Sequence, residues 1–352
     1  MEGDAEFSSN RHSALPGLTE YEVPVRHPDF NFEDGNLALV TGCQYFVVHQ
    51  GMLSHHSKAF SGMIKNRQAE GGLTLAGLTA IVTEDDPDEL VCFLRVLYGF
   101  CVNLETKSFE DISALLRIST KYGVEELRKE AIRILCLSWP TSLANWETRE
   151  KSVTSADGLY APRPSLPHPI FIIELARETD VPELLPSAFY DLSRYLPSHL
   201  AAGHTTSEGE KHMLAQEDLL KILRGKEHGA RFFSTFIVNE LEGRTPSEFC
   251  LYRNDATPTR KRACQIAYEA ITFELIRDVN GMVCNRNSDP LFAIAETFLM
   301  QTREDIPGAE NEVVHRTCEF CRMEYGAVVD AVREELWRKI PEWFDLEVPG
   351  WG

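Results

Sequence analysis

The stretch QYFVVHQGMLSHHSKAF, residues 44–60, decides how the chain is interpreted, because it carries three histidines within eight positions. His49 ends a strand-like run, whereas His55 and His56 are neighbours in a helical pattern. Adjacent helical side chains point about 100° apart, so the three rings are not expected to converge on one metal ion. The segment therefore predicts a strand followed by a helix, and a structural role for His49.

The residues on either side of this stretch predict a small sheet with helices. LALV (37–40) and the strand ending at His49 flank Thr41-Gly42-Cys43, which is typical of a hairpin. A helical stripe follows, and TAIVT (79–83) predicts a further strand. Helices are then expected to begin at Asp86-Pro87 and at Ser108. The stripe of the first helix consists of Met52, Leu53, His56, Phe60, Met63 and Ile64.

The same stretch resembles the F-x-x-H-x-x-x-L-x-x-x-S-x-x-F signature of the BTB/POZ domain. The matching residues, in order, are Phe46, His49, Leu53, Ser57 and Phe60. The resemblance continues through Asp34, FLRVLYG (93–99) and LLRISTKYGVEELRKEA (115–131), and it covers about residues 30 to 140. It implies an α+β interaction domain, a small sheet capped by helices, that serves self-association and partner capture. The histidine would then be a packing and hydrogen-bonding residue.

Two positions depart from what the family implies. Many members pair the acidic residue matching Asp34 with a basic residue just after the signature histidine, where this chain has Gln50. Adaptors for cullin ubiquitin ligases often carry a hydrophobic-any-Glu motif after the first long helix. Here Glu70 is present, but Gln68 takes the place of the hydrophobic residue. Self-association and cullin binding both stay open.

A proline-rich segment between two regular regions of the chain predicts two domains. Residues 1–27 are expected to be a flexible N-terminal segment and 28–145 the BTB/POZ-like domain. The segment 146–169 is rich in proline and is expected to be a linker or loop. Residues 170–346 read as helices throughout, which predicts an all-α C-terminal domain, and 347–352 a tail. The overall fold class is therefore α+β, followed by an all-α domain.

Four cysteines in the helical half are candidate metal ligands. Cys318 and Cys321 form C-E-F-C in a predicted helix, where residues i and i+3 share a face, and Cys250 and Cys264 lie upstream. Together they can complete a tetrahedral zinc site, which would be structural because four protein ligands leave no open position. Cys284 or His315 can replace one member. The alternative is that these are buried free thiols that pack as small hydrophobic groups.

Composition limits the remaining function classes. The formal net charge of −19 disfavours nucleic acid and anionic membranes as direct partners. The polar, acidic N-terminus lacks the apolar segment of a signal peptide, and nine cysteines spread over the chain suggest thiols in a reducing compartment. We therefore expect an intracellular protein of the cytoplasm, the nucleus or both. The cluster Arg260-Lys261-Arg262 is either a nuclear-import patch or an ordinary solvated surface.

Phosphate-binding, nucleophile-elbow and metalloprotease motifs are missing from the sequence, which argues against an enzyme. The leading hypothesis is a non-enzymatic adaptor or scaffold that binds protein partners through the BTB/POZ-like domain. One alternative is a substrate adaptor of a cullin-type ubiquitin ligase. An alternative of another class is a structural-zinc helical domain with unknown activity. A role in transcription would require a separate DNA-binding partner.

Overall fold

The apolar runs within residues 37–48 form two paired strands on either side of a turn, as the sequence predicts. These strands lie in a computed structural model that describes residues 24–69, 73–101, 103–156, 160–163, 165–277, 289–301 and 316–351. The chain divides into two compact units, one ending at Leu135 and the other beginning at Cys136. We call them unit 1 and unit 2. The division falls inside a helix rather than at residue 145, where the sequence suggested it.

Unit 1 combines a five-stranded sheet with helices. Its strands are β1 (Val25–Asn31), β2 (Leu37–Thr41), β3 (Gln44–Val48), β4 (Thr74–Leu75) and β5 (Leu78–Thr83). Its helices are α1 (Gln50–His56), α2 (Lys58–Ala69), α3 (Pro87–Leu97), α4 (Phe109–Tyr122) and α5 (Glu125–Ser138), the last of which contains the division. Mixed α+β structure with a small mixed sheet is thus confirmed for the fold class.

The sheet of unit 1 has the order β1-β3-β2-β5-β4. β2 and β3 form an antiparallel hairpin, and Gly42 at its turn has a φ of 51°, a conformation that glycine adopts without strain. β5 pairs in parallel with β2 after the crossover through α1 and α2. All five residues of β2 are buried, so the centre of the sheet lies inside the core of this unit.

Two features of unit 1 differ from the expectations. β1 begins at Val25, inside the segment expected to be flexible, because its backbone pairs in parallel with β3 despite Pro24 before it and Pro28 within it. The single helix expected after His49 is two helices, since Ser57 between them has an extended backbone. The interruption leaves His56 exposed, although it was assigned to the apolar stripe.

The helix boundaries read from capping residues are confirmed in unit 1. The Asp86 carboxylate accepts hydrogen bonds from the backbone amides of Asp88 and Glu89 at the start of α3. The Ser108 hydroxyl accepts one from the amide of Asp111 at the start of α4. Gly123 ends α4 in the left-handed conformation, with a φ of 63°.

Unit 2 is mainly helical. Its helices are α6 (Leu143–Ser152), α7 (Pro169–Glu178), α8 (Leu185–Ser193), α9 (Pro197–Ala202), α10 (Gln216–Phe236), α11 (Pro258–Lys261), α12 (Ala263–Arg277), α13 (Pro290–Leu299) and α14 (Glu319–Trp343). A two-stranded pair, β6 (His204–Thr205) with β7 (Lys211–His212), interrupts the helical pattern. The expectation of an all-α domain was therefore too simple, because strands of two residues are too short to show an alternation.

Three local predictions in unit 2 also differ from the structure. The proposed linker 146–169 begins inside α6, where Trp146 and Arg149 are buried. The segments 216–224 and 230–242, whose patterns predict two separate helices, are joined through α10, and Gly225 within it is a point of close approach. A Cβ built there would lie 2.0 Å from the Phe344 ring. In the expected tail, the Trp351 indole donates a hydrogen bond to the Trp337 carbonyl at 2.9 Å.

Candidate metal centre and signature residues

Four of the residues that carry the BTB/POZ resemblance belong to the interior of unit 1. Phe46, Leu53 and Phe60 are fully buried, and the Phe60 ring stacks on Tyr122 with centroids 4.0 Å apart. The buried Ser57 hydroxyl donates a hydrogen bond to the Tyr122 carbonyl and accepts one from the Phe60 amide. These residues therefore join the start of α2 to the end of α4, which is a folding role.

His49 and Asp34 behave differently, because they meet at the surface. The Nε2 of His49 lies 3.1 Å from the Asp34 carboxylate, and the Asp34 side chain is 85% exposed. The hydrogen bond from His49 lowers the pKa of Asp34. If Nε2 donates to Asp34, Nδ1 is the acceptor for the Tyr98 hydroxyl at 3.1 Å. Tyr98 also accepts from the His49 backbone amide at 2.9 Å, so the imidazole is held in one orientation.

Aromatic rings surround this histidine, and the sequence reading did not identify them as a group. Phe32 lies 4.9 Å from both His49 and Tyr98 between ring centroids, and Tyr98 stacks on Phe100 at 6.3 Å. The Phe100 side chain is 64% exposed. We call Phe32, His49, Tyr98 and Phe100, together with Asp34, the His49 surface. Phe32 and Phe100 lie outside the signature spacing, which is why the pattern did not reveal them.

Of the two positions that depart from the family pattern, the structure describes the first fully and the second only in part. Gln50 begins α1, and its backbone amide donates a hydrogen bond to the Asn36 side chain at 2.8 Å. The position of the Gln68 side chain and all of Glu70 lie outside the described residues. Cys284 and His315, the substitute metal ligands, also fall outside them.

The structure brings together the four cysteines that the sequence singled out. The sulfur atoms of Cys250, Cys264, Cys318 and Cys321 all lie within 4.8 Å of one another, and all four residues are buried. The Cys250 sulfur is 3.7 Å from that of Cys264 and 3.8 Å from that of Cys318. A disulfide requires about 2.05 Å between sulfurs, so these are separate thiols. Within the described part of the chain, this is the one group with the spacing of a metal site.

Two helix starts and one turn position these sulfurs. Cys318 is the N-cap residue of α14 and Cys321 lies in its first turn, so their separation of three residues turns both toward one side. Cys264 is the second residue of α12, and Cys250 lies in a turn after α10. The N-terminus of a helix carries a partial positive charge and stabilises a thiolate.

Backbone amides also point at the sulfurs. The Cys318 amide donates to the Cys264 sulfur at 3.2 Å, and the Ser247 amide donates to the Cys321 sulfur at 3.3 Å. Burial nevertheless raises the pKa of Cys264 to about 12 and also raises the pKa of Cys321. For Cys318 burial acts in the same direction, but hydrogen bonds from the Cys321 and Leu251 backbones outweigh it and lower the pKa to about 7. The group is thus arranged to accept hydrogen bonds at sulfur, although burial opposes four thiolates without a cation.

A second buried polar group, the Asp191 network, was not predicted. Asp191 accepts hydrogen bonds from Arg149 and Arg194, both at 2.5 Å, and from Arg163 at 3.1 Å. Arg194 also binds the carboxylates of Glu150 and Asp289, at 2.9 and 2.8 Å. Three guanidinium groups therefore face three carboxylates. The network joins residues from separate parts of the chain, around 149–163, 191–194 and 289, which only the fold brings together.

Comparison with known proteins gives no family for the chain: no family model matches it, and it has no match among the curated proteins. Across the described residues, no helix combines the length and the apolar character needed to cross a bilayer.

Proposed function

We propose that the chain is a non-enzymatic adaptor that binds protein partners through unit 1, a domain of the BTB/POZ type. The mixed sheet with its helices supports the α+β interaction domain that the resemblance implies. The buried positions of Phe46, Leu53 and Phe60 support it as well, because a signature of packing residues belongs in a core.

The observation that carries an interaction role is the His49 surface. A polar contact as exposed as that of Asp34 with His49 contributes little to folding stability. Beside it, Phe100 exposes an aromatic ring to solvent, and aromatic side chains are enriched where proteins bind each other. Since the resemblance implies self-association, we propose that a second copy of the chain binds this surface.

Sedimentation velocity on the full-length chain tests this proposal. We expect a dimer that the substitution Phe100→Ser weakens by about tenfold or more in dissociation constant, because truncating a central aromatic anchor typically costs above 1 kcal/mol. Phe249→Ser is the matched control, since Phe249 in unit 2 is 73% exposed and its loss should leave the dimer intact. A wild-type chain that stays monomeric at the highest soluble concentration would refute self-association.

A ubiquitin-ligase adaptor is the alternative within the interaction class. Titration calorimetry of the full-length chain against a cullin N-terminal domain distinguishes it from a scaffold. Saturable one-to-one binding would make ligase adaptor the function. If the chain dimerises but does not bind the cullin, Gln68 would account for the lack of binding, since cullin adaptors carry a hydrophobic residue at this position.

A further inference from the structure

We propose that Cys250, Cys264, Cys318 and Cys321 bind one zinc ion as four thiolates, in a closed structural site that holds unit 2 together. This inference goes beyond the adaptor function and does not depend on it. It concerns only residues of unit 2.

The distances between sulfur atoms fit one tetrahedral ion. With zinc–sulfur bonds of about 2.3 Å, tetrahedral geometry places neighbouring sulfurs about 3.8 Å apart. The observed separations of 3.7 Å from Cys250 to Cys264 and 3.8 Å from Cys250 to Cys318 agree with this value. In an iron–sulfur cluster of two or more irons, inorganic sulfide lies between the thiolates, so the cysteine sulfurs must be further apart. The spacing therefore favours a single ion.

The identity of the ligands fits zinc. Four thiolates are a soft ligand set, and tetrahedral sites of four sulfurs are typical of zinc or iron. Each thiol releases its proton as its sulfur binds, so four protons leave for one Zn²⁺ and the centre carries a net charge of −2. The amides of Ser247 and Cys318, which donate to sulfur, and the two helix N-termini offset part of that charge. With four protein ligands no position is left for water or substrate, so the site is structural.

The neighbours of these cysteines argue against ordinary hydrophobic packing. Phe249 and Leu251, on either side of Cys250, are 73% and 60% exposed, and Phe320 beside Cys321 is 41% exposed. Cys250 and Cys321 themselves are only 7% and 1% exposed. A core built by burial of apolar area would turn the larger phenylalanine and leucine side chains inward. The chain buries sulfur instead, as a metal site requires.

The ion would connect segments that are remote in sequence. It would join the turn at Cys250 to the first turns of α12 and α14, which lie 14 and 68 residues further along. The contacts around the site continue this connection, since the Tyr268 hydroxyl donates to the Cys321 carbonyl at 2.9 Å. Loss of the ion should therefore loosen α12 and the start of α14 first.

Elemental analysis of the tag-free, full-length chain, purified with reducing agent, is the first test. We expect about one zinc per chain, falling to near zero in the double variant Cys318→Ser/Cys321→Ser. Cys92→Ser is the matched control, because Cys92 is a buried thiol outside the group and its loss should leave the zinc content unchanged. Iron in place of zinc, or full zinc content in the double variant, would overturn the proposal.

A titration of the wild-type chain keeps the test valid if the double variant does not fold. Reduced, metal-free chain titrated with Co²⁺ should take up one equivalent and show the intense visible bands of tetrahedral cobalt together with thiolate-to-cobalt charge transfer. One equivalent of Zn²⁺ should abolish both signals. Metal-free chain that binds neither ion would overturn the proposal. Because sedimentation reports on unit 1 and metal content on unit 2, failure of one proposal leaves the other intact.

Discussion

Unit 1 and unit 2 each hold an aspartate paired with a nitrogen-bearing side chain, and the two pairs differ in exposure. The Asp34 side chain, paired with His49, is 85% exposed, whereas that of Asp191 is 2% exposed and faces three arginines. A buried charge that loses its partner is costly, while an exposed pair is screened by water. The Asp191 network therefore serves stability, and the Asp34 pair is free to serve recognition. Position in a signature and importance for folding are thus separate properties.

Removing the central charge of the network should have the largest effect. In Asp191→Asn the shape is kept, but the guanidinium groups of Arg149, Arg163 and Arg194 lose a shared carboxylate in the interior. We expect unit 2 to lose about 3–5 kcal/mol of unfolding free energy. Urea unfolding followed by tryptophan fluorescence measures this directly, since all five tryptophans lie in unit 2.

Glu335→Gln, also in unit 2, is the matched control for that substitution. Glu335 pairs with Lys339 at 2.7 Å, but the two side chains are 47% and 42% exposed. This change should cost less than about 1 kcal/mol. A loss in Asp191→Asn as small as that of an exposed pair would show that the network is not the buried cluster described above.

The next largest effect is expected from pH, which should change the unfolding free energy that Asp191 contributes. Burial acts to raise the pKa of Asp191, but the charges of Arg194, Arg149 and Arg163 outweigh it and hold the pKa well below the ordinary aspartate range. A carboxyl group with a lowered folded pKa stabilises the fold above its unfolded pKa of about 3.9, and this contribution is lost as the pH falls below that value. The difference in unfolding free energy between wild type and Asp191→Asn should therefore be constant from pH 7 to pH 5 and shrink below about pH 4.

Any zinc lost at low pH would lower the unfolding free energy of both wild type and Asp191→Asn, so this effect would cancel in their difference. A difference that grows as the pH falls from 7 to 5 would contradict the lowered pKa, because a proton taken up by the folded state above the unfolded pKa stabilises the wild type. It would mean that Asp191 takes up a proton in the folded chain at mildly acidic pH.

Features that depend on neighbouring residues could be predicted from the sequence, whereas features that depend on distant residues could not. Asp86 and Ser108 marked the helix starts, because a cap acts on amides two or three residues away. The spacing of Cys318 and Cys321 could be read within one helix turn. Cys250 and Cys264 were candidates from the sequence as well, but only the fold shows that they lie beside that pair. Gly225 lies inside α10, and only the fold reveals that the Phe344 ring occupies the space of a side chain there.

The Asp191 network and the aromatic rings of the His49 surface could not be predicted for the same reason. Arg194 reaches Glu150 and Asp289, which are 44 and 95 residues away. Phe100 joins Tyr98 and Phe32 only once β1 lies beside β3, and β1 was expected to be partly flexible. Long-range contacts of this kind follow from the fold and leave no periodic trace in the sequence.

The smallest effect on stability, and the sharpest test of the comparison, is expected for Asp34→Asn. His49 keeps its contact with Tyr98, and the exposed carboxylate is surrounded by water, so the hydrogen-exchange rates of β2 and β3 in unit 1 should stay within measurement error of wild type. Dimerisation measured by sedimentation should weaken, since the substitution removes a charge from the surface that we assign to the second copy. If exchange in β2 and β3 became markedly faster while the dimer persisted, Asp34 would be a folding residue like Asp191. The contrast between the two units would then fail, and with it the assignment of the His49 surface to recognition.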